Sequence, residues 1–339
     1  MNPTAEREGM PQAQRRALKR GQWLSWLTII YLLIDTVLLF ILKGNSQALQ
    51  AAWIQDLLSF LPPVAFLVGV WVAGRPASKR FPYGYHQSMN IAHFVAAVAL
   101  LAFGGFLLYE SAMTLFAREY PAIGLMTLFG VDFWQGWIMI AFMFAGVFPP
   151  LILGRLKLEP ARKLHNKVLY TDSKMNKADW LASAASIIGI MCVGFGIWWA
   201  DAVAAIIISI DILLDGIRNL RSALSSMIDS APETLEDEDP HPLPSAVNHH
   251  LLSLPWVKAT GCRVREESQI FHVEAFVVTE ELDGNLVDAI DKARDGCLAL
   301  DWKIQDVVIM PVHELSPVLR TDTDAHDASE AHSPIAKRS

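Results

Sequence analysis

Hydrophobic positions in the first two thirds of the chain do not form the one-sided stripe of a water-facing helix. They run on for twenty residues or more with almost no charge. A helix that spans a bilayer needs about 20 predominantly apolar residues, and six segments meet that length: roughly Gln22 to Leu42, Ala48 to Ala73, Ser88 to Ala112, Phe133 to Gly154, Ala178 to Trp198 and Trp199 to Leu220. The pattern predicts six transmembrane helices. An even number of spans puts both termini on one side of the membrane.

After the last run the pattern shortens. The stretch Ser230 to Pro242 is rich in acid and proline, which predicts a linker where helix cannot continue. Helical spacing over Ser245 to Leu254 follows, then strand-like alternation over Val257 to Arg265 and Ile270 to Thr279 around a Glu-Glu-Ser turn. Leu286, Ile290, Ala293, Cys297 and Leu300 recur at helical spacing within Asn285 to Leu300, and Ile304 to Val312 is a final strand. The order αββαβ predicts a small two-layer α+β domain with helices on one sheet face. The expected organisation is a tail (1–21), a six-helix membrane domain (22–222), a linker (223–244), an α+β domain (245–314) and a polar, disordered tail (315–339).

Composition agrees: 53% of the residues are hydrophobic and 19% are charged, a balance that a single water-soluble core does not need. Lys and Arg set the orientation, because short cytoplasmic loops carry the positive excess. The N-terminal tail has Arg7, Arg15, Arg16, Lys19 and Arg20, the first loop only Lys43, the second Arg75, Lys79 and Arg80, and the third only Arg118. The fourth has Arg155, Lys157, Arg162, Lys163, Lys167, Lys174 and Lys177, and Arg218 and Arg221 end the sixth span. Every second segment is basic, so both termini are expected in the cytoplasm, with the protein in a bacterial inner membrane. The basic tail runs into an apolar segment of transmembrane length without a small-residue cleavage site, so the first helix is expected to stay attached. Cys192, Cys262 and Cys297 have neither disulfide parity nor CxxC spacing and are read as reduced. The formal net charge of -7 argues against nucleic-acid binding. No nucleophile with a paired base, phosphate loop or HExxH helix argues for an enzyme.

Carboxylates inside hydrocarbon are the main chemical signal, since an ionised one costs about 2.5 to 3.5 kcal/mol at a helix centre by the lenient estimate and so faces a bundle interior or a polar path. Gln55 and Ser59 share a face of the second helix, with Asp56 about 100° away. On the fifth, Asp172, Met175 or Asn176, and Asp179 fall on one stripe. Should the stripes face each other, Gln55, Asp56, Ser59, Met175, Asn176 and Asp179 converge on a site able to hold a cation. Oxygen donors favour hard or borderline divalent ions, and a thioether tilts the choice toward softer ones. Simpler roles compete: Asp172 as an N-cap of the fifth helix, Asp201 as a cap of the sixth, Gln55 and Ser59 as interhelical hydrogen-bonders, and Asp35, Asp211 and Asp215 as partners of neighbouring helices. Pro62-Pro63 is expected to kink the second span.

Ser46-Gln-Ala-Leu, Arg80-Phe-Pro-Tyr-Gly-Tyr85, Asp172 with Ala178-Asp179-Trp-Leu-Ala-Ser183, Trp199-Ala-Asp201 and Asp229-Ser-Ala-Pro-Glu233 resemble, in order and spacing, the cation diffusion facilitator family, over about Trp23 to Val312. The resemblance implies a homodimeric six-helix transporter that exports divalent metal ions from the cytoplasm against protons, with a metallochaperone-like cytoplasmic domain. The ion is the substrate, its identity open, and no resident cofactor is implied. It also implies two ligands four apart on the second helix and His-x-x-x-Asp on the fifth. Here these fall on Gln55 and Ser59, and on Met175 and Asp179, so only Asp179 matches the ligand type. In the cytoplasmic domain the implied metal positions fall on Glu274 and Met310, with His249, His250, His272 and His313 nearby in sequence. Loss of the histidine removes a donor suited to zinc and a group that titrates near neutral pH. Two readings follow: a divalent-cation exporter with an atypical site, or a degenerate relative acting as a metal sensor or regulatory membrane partner.

Overall fold

Apolar runs of bilayer length become helices, most of which extend beyond the run at one end. A computed structural model describes residues 10–42, 53, 56–118, 125–128, 131–194, 197, 199–235, 239–267, 269–280 and 285–319. The chain divides into two units, Met1–Ile228 and Asp229–Ser339.

The first unit is helical: α1 (Gln12–Leu42), α2 (Leu61–Ala73), α3 (Ser88–Ala117), α4 (Gln135–Leu164), α5 (Lys167–Gly194) and α6 (Ala200–Met227). Among the described residues, the stretches Gln12–Leu38, Asp56–Ala73 and Ser88–Ala117 are long and apolar enough to cross a membrane. On α1, Trp23, Trp26, Ile30, Leu33, Ile34 and Val37 stay exposed while Leu24, Ser25, Thr28 and Leu32 are buried. An exposed row of that apolarity is the face a helix turns to lipid.

Helix α3 packs on α6, α4 on α5, α2 on α3, and α2 and α5 also touch. Small residues set the closest approach: a Cβ on Gly216 would lie 3.0 Å from Leu101 Cα. Glycine lets two backbones meet where dispersion drives association. The chain is helical at 56–59, turns at Phe60 and restarts at Leu61. Pro62 and Pro63 therefore fall in the first turn of α2, where no N–H is needed. Between α3 and α4 a short antiparallel hairpin, β1 (Leu125–Leu128) and β2 (Val131–Trp134), occupies residues that apolarity alone assigned partly to the fourth span.

The second unit contains α7 (Leu243–Leu252), β3 (Val257–Glu267), β4 (Ile270–Thr279), α8 (Leu286–Leu300) and β5 (Ile304–Val312). Its sheet has the order β3-β4-β5; β3 pairs antiparallel with β4, and β4 parallel with β5. A parallel pair needs a crossover, and α8 supplies it. Phe271, Val273, Ala275 and Val277 repeat every second residue and pack with Val247 and Leu251 of α7 and Ala293 and Cys297 of α8. The Asn285 side chain caps α8 by accepting the Val287 N–H at 3.1 Å. Cys262 and Cys297 are free thiols in this region. Burial pushes both up to about 11.

Candidate functional site

The start of α5 decides which of its polar side chains face inward. His165 adopts a left-handed φ of 49°, and the Asn166 N–H reaches back to the Ala161 carbonyl at 2.9 Å, closing α4 as left-handed caps do. The Asn166 side chain then accepts the Leu169 N–H at 2.8 Å and caps α5. Because α5 begins at Lys167, Asp172 lies inside the helix, and the N-cap role belongs to Asn166.

Asp172 has other partners. Its carboxylate lies 2.7 Å from Lys157 Nζ of α4, with side-chain exposures of 1% and 0%. The Asn176 amide donates to the Asp172 carbonyl at 2.7 Å and to its Oδ1 at 3.3 Å, and the buried Ser25 of α1 lies near the same carboxylate. Asp172 and Asn176 are thus engaged with each other and with a lysine. Met175 is buried in an apolar cluster with Leu100, Phe103 and Leu107 of α3 and Ile212 of α6. On α6, Asp211 and Asp215 each lie 3.4 Å from a lysine of α5, Lys177 and Lys174 respectively. Trp199, not Asp201, stands at the N-cap of α6.

Asp179, Asp56 and Asp35 form no ion pair with a lysine or arginine among the described residues, although Lys157 lies within electrostatic range of Asp179. Asp179 accepts a hydrogen bond from the Ser59 hydroxyl at 2.8 Å. Asp56, one turn before Ser59, shares a hydrogen bond with Asp35 of α1. Its other oxygen is buried without a hydrogen-bond partner among the described residues. Tyr31, one turn before Asp35, lies within electrostatic range of Asp35, Asp56 and Asp179 together, and its hydroxyl donates to the Gly146 carbonyl of α4 at 3.2 Å. Gln55 lies outside the described residues. No three His, Cys, Asp or Glu side chains among the described residues are grouped closely enough to hold a metal ion.

Like charges in a poorly solvated bundle repel strongly, and either a proton or a cation relieves the repulsion. Such an arrangement can exchange one for the other. Depth in the first apolar run was the sequence signal for Asp35. Tyr31 and Lys157 carried none, since a tyrosine in a span and a lysine in a basic loop are ordinary.

Every residue of this cluster falls within residues 24–228, which match the family model described as the cation efflux transmembrane domain. The chain belongs to the cation efflux family, also called the cation diffusion facilitators. Cation efflux proteins transport metal cations across membranes. Over 197 residues the chain is 25% identical to the manganese efflux system protein MneS of Bacillus subtilis (strain 168), covering 57% of this chain and 63% of that relative. It is 26% identical over 281 residues to the uncharacterized transporter YdbO of the same strain, covering 82% and 92%. To the magnetosome protein MamB of Paramagnetospirillum magneticum (strain ATCC 700264 / AMB-1) it is 23% identical over 163 residues, covering 48% and 51%. The chain thus spans less than two thirds of MneS and about half of MamB.

Proposed function

We propose that the protein is a secondary transporter that exports a divalent metal cation from the cytoplasm in exchange for protons, at an atypical site built on Asp179, Asp56, Ser59 and Asp35. The observation that carries this reading is the Ser59 to Asp179 hydrogen bond beside the Asp35 to Asp56 contact. Helix α1, the helical turn just before α2, and α5 each present a carboxyl group there, and none of the three forms an ion pair with a basic side chain among the described residues.

The donor set is mainly oxygen, which suits a hard or borderline ion, and Met175 stands where the family resemblance places histidine. Manganese is therefore the first ion to test, a choice that the printed name of MneS also supports. Without an imidazole, proton exchange falls to the carboxyl groups. A cation arriving from the cytoplasm displaces the protons that the carboxyls hold between them. The loaded bundle rocks, and protons from the far side expel the ion.

The same proposal includes six membrane spans, cytoplasmic termini in the bacterial cell membrane, a cytoplasmic second unit and a homodimer. The test is reconstitution in lipid vesicles with an imposed proton gradient. Mn2+ movement that requires the gradient and is lost in Asp179→Asn is expected; movement unchanged by that substitution would overturn the assignment.

A further inference from the structure

Lys157 and Asp172 form the most completely enclosed ion pair among the described residues, 2.7 Å apart with 0% and 1% exposure. A buried pair contributes little compared with apolar side chains of the same size, because both ions lose their hydration. Stability alone therefore gives a poor reason for it. Its position suggests another. Asp172 precedes Asp179 by two turns on the same stripe of α5, about 10 Å at 1.5 Å per residue. In the proposed orientation that is the cytoplasmic side of Asp179. Around it, Leu164, Asn166, Leu169, Thr171, Met175 and Asn176 are all buried. A cation entering from the cytoplasm along this stripe meets Asp172 first, and finds an ammonium on it.

We infer that Lys157 is a gating residue, whose ammonium holds at Asp172 the place an incoming cation would take and must withdraw before the ion reaches Asp179. The inference rests on the transport reading above. Lysine fits the task because it is a point charge on a flexible four-carbon stem, able to leave without breaking a bidentate geometry. The pair joins α4 to α5, and Ser25 brings α1 to the same carboxylate, so its opening would loosen three helices at one end of the bundle.

The test uses the full-length protein, with Mn2+ alone as the probe, in equilibrium binding and vesicle flux. Lys157→Gln frees Asp172, so it is expected to bind Mn2+ several-fold more tightly than wild type and to move it more slowly. Asp172→Asn should show no such gain. The double variant Lys157→Gln/Asp172→Asn keeps two hydrogen-bonding amides in place of the ions and is expected to fold. It should let Mn2+ run down its gradient with the proton gradient collapsed, which wild type should not allow. A merely structural staple predicts parallel loss in both single variants and no leak in the double one, and that result would overturn the inference. Should Lys157→Gln fail to fold, the leak of the double variant decides. Wild-type protein that neither binds nor moves Mn2+ would defeat the transport reading itself; wild type that does both, with no gain in Lys157→Gln and no leak in the double variant, would defeat the gate alone.

Discussion

The hydroxyl of Ser59 donates to Oδ1 of Asp179 at 2.8 Å, tying the second helix to the fifth across 120 residues of chain. A hydrogen bond to a charged group contributes about 1.5 to 3 kcal/mol, so Ser59→Ala should weaken Mn2+ transport by about tenfold or more in KM. Initial rates in vesicles over a range of Mn2+ concentrations measure this. An unchanged KM would show that the hydroxyl does not position the carboxylate.

Asp35 and Asp56 touch, so their effects should not add. Neighbouring groups in one network typically couple by about 0.5 to 3 kcal/mol. Asp35→Asn and Asp56→Asn are each expected to impair transport, and the double variant to be little worse than the poorer single one. Additive losses in kcat/KM would separate the two residues.

The α3 to α6 contact leaves little room for a side chain at Gly216, where a Cβ would lie 3.0 Å from Leu101 Cα and 3.1 Å from its N. Backbone cannot yield as a flexible side chain does. Gly216→Val is expected to cost about 1 to 3 kcal/mol, the usual range for overpacking. Thermal denaturation in detergent should show a lower Tm, with Gly105→Ala, where a Cβ meets nothing within 4 Å, as the silent control.

The thiols of the second unit give a pH prediction. Burial pushes Cys262 and Cys297 from 9.0 up to about 11, so the folded state holds their protons more tightly than the unfolded state. The resulting stability is fully present below pH 9.0 and is lost as pH rises through about 11. Maleimide should therefore label the two thiols slowly in folded protein at pH 8 and quickly after denaturation. Fast labelling of both in the folded protein would contradict their burial.

The helices of the membrane domain were legible because bilayer length is a composition signal that needs no partner. Their ends were not, since α4 and α5 continue through charged residues such as Arg155, Lys157, Lys174 and Lys177. The β1–β2 hairpin was hidden because two short, mostly apolar strands of four residues look like the start of a span. In the second unit, alternation over Ile270–Thr279 and Ile304–Val312 marked the strands directly.

At the site, the sequence singled out Asp179, Asp56 and Ser59, whose spacing on a helix is readable. It could not tell Asp172 from a ligand, because both its helix position and its partner depend on folding. Asn166 had to become the cap, and Lys157 had to arrive from α4. Asp35 was visible as a deep charge, but its contact with Asp56 depends on how α1 is turned. Met175 sits at the spacing of a ligand yet packs among Leu100, Phe103 and Leu107, as its apolar side chain favours.

The most direct test of the account is Mn2+ flux in vesicles containing the full-length protein, driven by a proton gradient, for wild type beside Asp179→Asn. The account predicts gradient-dependent Mn2+ movement in wild type and movement at the level of empty vesicles in Asp179→Asn. Equal flux in the two proteins, or none in wild type with manganese and the other divalent ions tried in turn, would contradict it.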